Sequence, residues 1–331
     1  MLNSIFNKWN QKKYFSFSSK LLFSSAILIL LLRKLDLNKI SDLIAGINIY
    51  YTCGAVLLIL ILRAIMAIRW KIILRVKEIT VPLSELIYIT YVSSSIGLVF
   101  PGSIGADLIR GYHLNKKNKD LVGIASTILV DRCIGIYSMF LVAFIGSIIA
   151  RMIDVSIDGF WILFLINMLF VAGWGILFLL RDQLSKIPIK AIKLKELLLS
   201  VTNYEDLKRI FWRSLLLSFG VQILRCVVFY LLYVAFGHSI PFIYFLIFIP
   251  MVYVAIFIPL SIGGLGIREG ALVLFFQIVN VVPEVSMSVG ILSHALHIAA
   301  AIPGVLMCFS WGGSFRAGER ELDKLNQDSL Q

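Results

Sequence analysis

The chain has 331 residues, 59% of them hydrophobic and 15% charged, with a formal net charge of +12. A soluble domain carries about a quarter charged residues and cannot hide this much apolar surface, so the composition excludes a soluble globular protein and describes a polytopic membrane protein. The apolar runs are long and uninterrupted, which reads as helices and not as the alternating strands of a barrel.

The excess positive charge lies in short loops between those runs, where topology and anionic headgroups account for it. No nucleic-acid partner is expected, because no basic surface domain exists to carry one. Residues 1–19 are basic and aromatic (Phe6, Lys8, Trp9, Lys12, Lys13, Tyr14, Phe15). They suit an amphipathic segment lying on the membrane surface or a partly ordered tail. No cleavable leader is expected, since this stretch is long and polar and no small-residue cleavage site follows the first apolar run.

A first span covers about residues 21–35 and a second about 47–68. The second carries Arg63 near its end, expected to snorkel toward the basic, aromatic edge that follows: Arg69, Trp70, Lys71, Arg75 and Lys77. Further apolar runs cover 82–100, 121–149, 160–180, 214–236, 240–258, 271–282 and 286–311, the second-last too short for an ordinary span. Between them, 181–213 is the longest polar interval and the strongest cytoplasmic marker. One membrane domain is expected over 20–315, with halves at about 47–180 and 210–311, a cytoplasmic linker at 181–213 and a polar cytoplasmic tail at 316–331. Cys53, Cys133, Cys226 and Cys308 form no ligand or disulfide pattern and read as packing residues.

Two stretches break the apolar runs in the same way. Residues 99–112 read VFPGSIGADLIRGY and residues 257–270 read FIPLSIGGLGIREG. They share Pro101/Pro259, Ser103/Ser261, Ile104/Ile262, Gly105/Gly263, Ile109/Ile267 and Arg110/Arg268 at a constant offset of 158 residues. If each motif lay on a full crossing, the basic segments at 69–77 and 110–119 would fall on opposite sides of the membrane. If each is the tip of a re-entrant hairpin, the basic loops collect on one side, apart from residues 33–39. The two hairpins then insert from opposite faces, as in inverted-topology repeats whose site lies near the midplane. The expected fold is all-α, with roughly six to eight transmembrane helices plus two re-entrant hairpins and both termini cytoplasmic.

Non-helical backbone at membrane depth is tolerated only where protein or a wet cavity covers it. Pro101 and Pro259 stop the incoming helices, and Gly102, Gly105, Gly263, Gly264 and Gly266 permit a tight turn. The helices that restart there would aim free N–H groups inward, a cradle for an anion such as phosphate. Arg110 and Arg268 occupy equivalent places; facing inward they would pair with a lipid phosphate, facing outward they would anchor at the interface. Ser103 and Ser261 join them as candidate binding residues. Asp107 and Glu269 are ion-pair partners for these arginines or, less simply, proton carriers. Asp131 and Arg132 lie inside a span, where charge marks a pathway or a buried pair. Adjacent helical residues point about 100° apart, so these two need not pair with each other; Asp131 has Arg110 or Arg225 as a candidate partner. Arg225 and Gln222 share a helix face and suit a cavity lining, as do His294 and His297, for which packing is the alternative. No metal site is read at these histidines, since no carboxylate supports one.

At these residues the chain resembles the flippase-like family, the membrane domain of lysylphosphatidylglycerol synthases and its stand-alone relatives. The resemblance rests on PGSIGADLIRGY, the Asp131–Arg132 pair, PLSIGGLGIREG and the edge Ile68-Arg69-Trp70-Lys71, and it covers nearly the whole chain. Gly105-Ala106-Asp107 departs mildly from the Gly-Gly-Asp common in the family. Only a short polar tail follows Trp311, so the soluble aminoacyl-transferase domain of the full synthases is expected to be absent. The resemblance implies translocation of an anionic phospholipid or polyprenyl-phosphate-linked lipid across the cell membrane, without enzymatic activity or a cofactor. Two alternatives stand beside it: a membrane transferase using a lipid-linked donor, and a partner subunit of a lipid-modifying enzyme.

Overall fold

A computed structural model of the chain describes residues 35–98, 104–118, 120–155, 160–179, 207–257, 261 and 263–308. Every regular element among them is helical. In chain order these are α1 (Leu37–Ala45), α2 (Ile49–Arg75), α3 (Leu83–Gly97), α4 (Ile104–Asn118), α5 (Leu121–Met152), α6 (Phe160–Leu179), α7 (Leu207–Ala235), α8 (Phe242–Phe257), α9 (Ile267–Gln277) and α10 (Pro283–Ala299). A further helical segment, 302–308, continues the line of α10. The expected elements at 1–34, 180–206 and 309–331, and Pro101, Gly102, Ser103 and Pro259 in the two motifs, lie outside the described residues.

Among the described residues, four helical stretches are long and apolar enough to cross a membrane: Ile49–Arg75, Leu121–Met152, Ile210–Ala235 and Pro283–Cys308. Trp161–Gly173 and Phe242–Phe257 are shorter apolar helices. The long helices are apolar around most of their circumference, as lipid-embedded helices are, and polar side chains begin two of them, α2 and α5. Asn48 accepts the Tyr50 N–H at 3.0 Å ahead of α2, and Asp120 accepts the Gly123 N–H at 2.8 Å ahead of α5. Such caps satisfy N–H groups that helix ends leave orphaned.

The largest apolar cluster joins α2, α7, α8, α9 and α10. Its centre is aromatic. Tyr233 of α7 stacks on Phe276 of α9 at 4.5 Å, Phe276 lies 5.1 Å from Phe245 of α8, and the Tyr233 hydroxyl donates to Ser286 Oγ at 2.9 Å. Because lipid is as apolar as these rings, close packing rather than escape from water holds such a cluster. It seats α9, only eleven residues long, among longer neighbours. Around the first motif the arrangement is similar: α3 and α4 pack against each other, and α4 leans on α5.

The last span is broken. Pro303 has no N–H and its ring opposes continuation of the preceding turn; α10 ends at Ala299 and helix resumes at residue 302. Arg63 of α2 closes the break by donating through Nη1 to the Ala300 carbonyl and through Nη2 to the His297 carbonyl at 3.3 Å. Ser95 of α3 donates to the Ala301 carbonyl at 2.8 Å. Arg63 is therefore buried and fixed, and does not snorkel to the interface as expected from the sequence. Carbonyls at this break are acceptors that lipid cannot satisfy, and those of His297 and Ala300 hold the guanidinium inside.

Candidate functional site

Six charged side chains converge where α2, α4, α5 and α7 meet. Asp107 of α4 accepts from Arg110, one turn further along the same helix, and from Arg132 Nε of α5. Arg110 Nη1 lies 3.6 Å from Asp131 Oδ2, and Asp131 Oδ1 accepts from Arg69 Nε of α2 at 2.7 Å. Arg69 Nη1 reaches Ser218 of α7 at 2.8 Å. On the same face of α7, Gln222 donates to Ser138 Oγ at 3.1 Å and to the Gly135 carbonyl at 3.3 Å, both on α5. The Gln222 Oε1 in turn accepts from Arg225 Nη1 at 3.1 Å.

Aromatic faces complete the shell. The Arg110 guanidinium lies 5.0 Å from the Trp70 ring, Arg225 lies 4.4 Å from Tyr253, and Arg132 lies 5.7 Å from Phe257. Such contacts favour a cation most where water is excluded. The divergence of adjacent helical residues is realised here: Asp131 faces Arg69 and Arg110, whereas Arg132 faces Asp107 and the end of α8.

The balance of charge is uneven. Arg69, Arg110, Arg132 and Arg225 stand against Asp107 and Asp131, and Arg225 has no carboxylate partner among the described residues. Arg110 Nε and Arg132 Nη2 are buried and find no acceptor among the described residues. Unpaired donors of this kind cost free energy in a low-dielectric interior.

The second motif forms its own polar group beside the first. Gly263, Gly264 and Gly266 turn the chain with φ of 61°, 81° and 80°, a region that side chains resist. The turn approaches the first motif closely. A Cβ added at Gly263 would stand 3.0 Å from the Leu98 carbonyl oxygen, immediately before residue 99. Two stretches 158 residues apart in sequence are thus adjacent in space. Gly105 differs from its expected counterpart, since it lies in the first turn of α4 and not in the turn before it.

Arg268 and Glu269 follow that turn, both buried. They do not pair with each other, which corrects one of the two expectations for Glu269. Its Oε2 accepts the Gly266 N–H at 2.6 Å and caps α9, while Oε1 has no partner. Gly290 of α10 leaves room for it; a Cβ there would lie 2.8 Å from Glu269 Cγ. Arg268 Nη1 meets His294 Nδ1 at 3.4 Å, and its Nε is unpartnered, as is the buried Ser261 hydroxyl. His297 Nδ1 donates to the Ser293 carbonyl at 2.7 Å, one turn back on α10.

Of the residues singled out from sequence, Asp107, Arg110, Asp131 and Arg132 come together, with Arg225 at the edge through Gln222. Of the two partners considered for Asp131, Arg110 is one and Arg225 is not. Arg69 is the stronger partner, and Trp70 and Ser218 belong with it; the sequence reading put Arg69 and Trp70 on an interfacial edge, yet both are buried. A signal existed. An aspartate placed inside a span requires a cation at its own depth, and Arg69 closes a second span without an assigned partner.

A chain whose described residues form only helices, several of them apolar and of membrane length, with a charged network between them, is a multi-pass, membrane-embedded protein. The model of the family described as the lysylphosphatidylglycerol synthase transmembrane region matches residues 18–304, and the chain belongs to that family. The match contains both motifs and every residue of the cluster. Membership points to a membrane protein of lipid modification or translocation. No curated protein matched the chain.

Proposed function

We propose that the protein moves an anionic, phosphate-bearing lipid across the cell membrane, its headgroup passing the arginine cluster while its tail remains in the bilayer. The lipid is a phospholipid or one linked through a polyprenyl phosphate. One observation carries this reading: the buried cluster holds four arginines against two aspartates, with N–H groups of Arg110 and Arg132 left without acceptors. A buried charge without compensation costs several kcal/mol. An entering phosphate offers the missing negative charge, and the planar guanidinium fork suits its oxygens.

The two motifs act in this reading as re-entrant hairpins of an inverted repeat. In support, α3 packs on α4 across residues 99–103, α8 packs on α9 across the second motif, and the Gly263 turn abuts Leu98. With the basic loops on the cytoplasmic side, the termini are cytoplasmic as well. The roles assigned are binding and charge compensation, so the reading is of a transporter and not an enzyme, and it calls for no cofactor.

The experiment is translocation of fluorescent phosphatidylglycerol in proteoliposomes. Arg110→Ala and Arg268→Ala should each reduce the rate at least tenfold, by the loss of a charge-assisted contact worth about 1.5–3 kcal/mol, while protein still inserts into the vesicles. Unchanged rates in both variants would overturn the assignment.

A further inference from the structure

Beyond Arg69, α2 runs out of the charged cluster and ends at Arg75. The chain then reverses through a tight connection: Ile79 N–H returns to the Leu74 carbonyl at 3.2 Å, and Glu78 takes a φ of 57°. Thr80, Val81 and Pro82 lead into α3. Between the last turns of α2 and this connection lies a cavity of about 390 Å³. Leu74, Ile79, Val81 and Leu86 make its apolar floor, and all four are buried. Lys71 and Arg75 stand at its rim with Thr80. Among the described residues neither cation has a carboxylate partner.

We infer that this cavity seats the headgroup of one anionic phospholipid, held as a resident lipid apart from any transported substrate. Its volume falls within the range of small-molecule sites, about 300–1,000 Å³. The phosphate would lie between Lys71 and Arg75, the glycerol oxygens within reach of Thr80, and the first chain carbons on the apolar floor. A rim of unpaired cations above a hydrophobic base is complementary to an amphiphile with a negative head, and to neither a neutral lipid nor a free anion as well. The cytoplasmic leaflet, where basic segments such as 71–77 collect, carries the anionic lipids such a site would draw on. The inference does not rest on translocation; it uses none of the residues of the central cluster.

The test is lipid retention by the full chain purified in detergent and measured by native mass spectrometry, with phosphatidylglycerol, phosphatidylcholine and inorganic phosphate as separate probes. The wild type should retain one phosphatidylglycerol in preference to phosphatidylcholine. Lys71→Gln combined with Arg75→Gln should reduce that occupancy at least about tenfold, since each cation near an anionic surface contributes substantially to binding. Arg132→Gln, in the central cluster, should leave this equivalent in place, which separates failure here from failure of the transport reading. Thr80→Trp, which fills the cavity without removing charge, provides an independent variant with the same expected loss. Undiminished retention in the double variant and in Thr80→Trp would overturn the proposal. So would equal retention of phosphatidylcholine, or competition by millimolar inorganic phosphate that reproduces the whole effect.

Discussion

Asp107 and Arg132 stand on different helices, twenty-five positions apart, and form a partly buried ion pair at the point where α4 meets α5. Asp107 is shared, because Arg110 binds its other oxygen. The two members of the pair are therefore unequal. Replacing Arg132 leaves Asp107 still compensated by Arg110. Replacing Asp107 leaves Arg110 and Arg132 buried with Asp131 as the nearest acid. Asp107→Asn should lower stability by about 3–5 kcal/mol, the cost of a buried charge without its partner, and Arg132→Gln by much less. Thermal unfolding in detergent would measure both; a larger loss for Arg132→Gln would contradict the cation-rich description of the cluster.

Arg63 makes a second prediction. Its guanidinium supplies donors to the carbonyls of both His297 and Ala300 beside the break in the last span. Arg63→Leu keeps the apolar bulk of the stem but leaves two acceptors unsatisfied. The expected loss is about 2–6 kcal/mol, at about 1–3 kcal/mol per unsatisfied buried group. Arg63→Lys should recover only part of it, because one ammonium does not present a planar fork. Hydrogen exchange should accelerate first at residues 299–304. Uniform acceleration across α10 would argue for general destabilisation instead.

How much of this was visible in the sequence depends on the range of the signal. The long spans were legible from their apolar runs: α5 and α6 begin and end within three residues of the expected limits, whereas α2 runs seven residues past its expected end and α7 starts seven residues before its expected start. The two motifs were legible because they repeat. The cost of an intramembrane acid pointed to Arg110 or Arg225 as partner for Asp131, and Arg110 is the one in reach. Arg69 was missed because an arginine beside a tryptophan near the end of a span is also what an interface looks like, and only tertiary structure tells the two apart. The Glu269 cap was missed for a related reason. Its neighbour Arg268 is close in sequence, but adjacent helical residues diverge, and the nearer unsatisfied group was the Gly266 N–H. Pro303 was present in the sequence, yet which side chain would answer the carbonyls at the break could not be read from spacing.

Arg268 yields a prediction of opposite sign to Asp107. It is buried, faces His294 and has no carboxylate partner among the described residues. Removing its charge therefore relieves a desolvation cost without orphaning an acid. Arg268→Met should leave thermal stability unchanged or raise it by about 1 kcal/mol, as found when buried ionic groups give way to apolar ones of similar volume. Lipid translocation should nevertheless fall. A residue that costs stability and supports transport is held for the second purpose. Loss of stability with intact translocation would assign Arg268 to structure alone.

Gly263 tests the contact between the two motifs. Its φ of 61° is strained for any residue bearing a Cβ, and the added carbon would press on the Leu98 carbonyl oxygen at 3.0 Å. Gly263→Ala should cost about 1–2 kcal/mol from the left-handed conformation alone, and more if Leu98 cannot yield. Gly237 has a φ of 78° but no neighbour within 4 Å of an added Cβ. Gly237→Ala should therefore show the conformational cost without the steric one. The difference between the two variants isolates the contact between the second turn and the end of α3. If that contact positions the motifs for transport, Gly263→Ala should slow translocation beyond what its stability loss explains, while Gly237→Ala should not. Equal behaviour of the two in both measurements would remove the Leu98 contact from any role in bringing the motifs together.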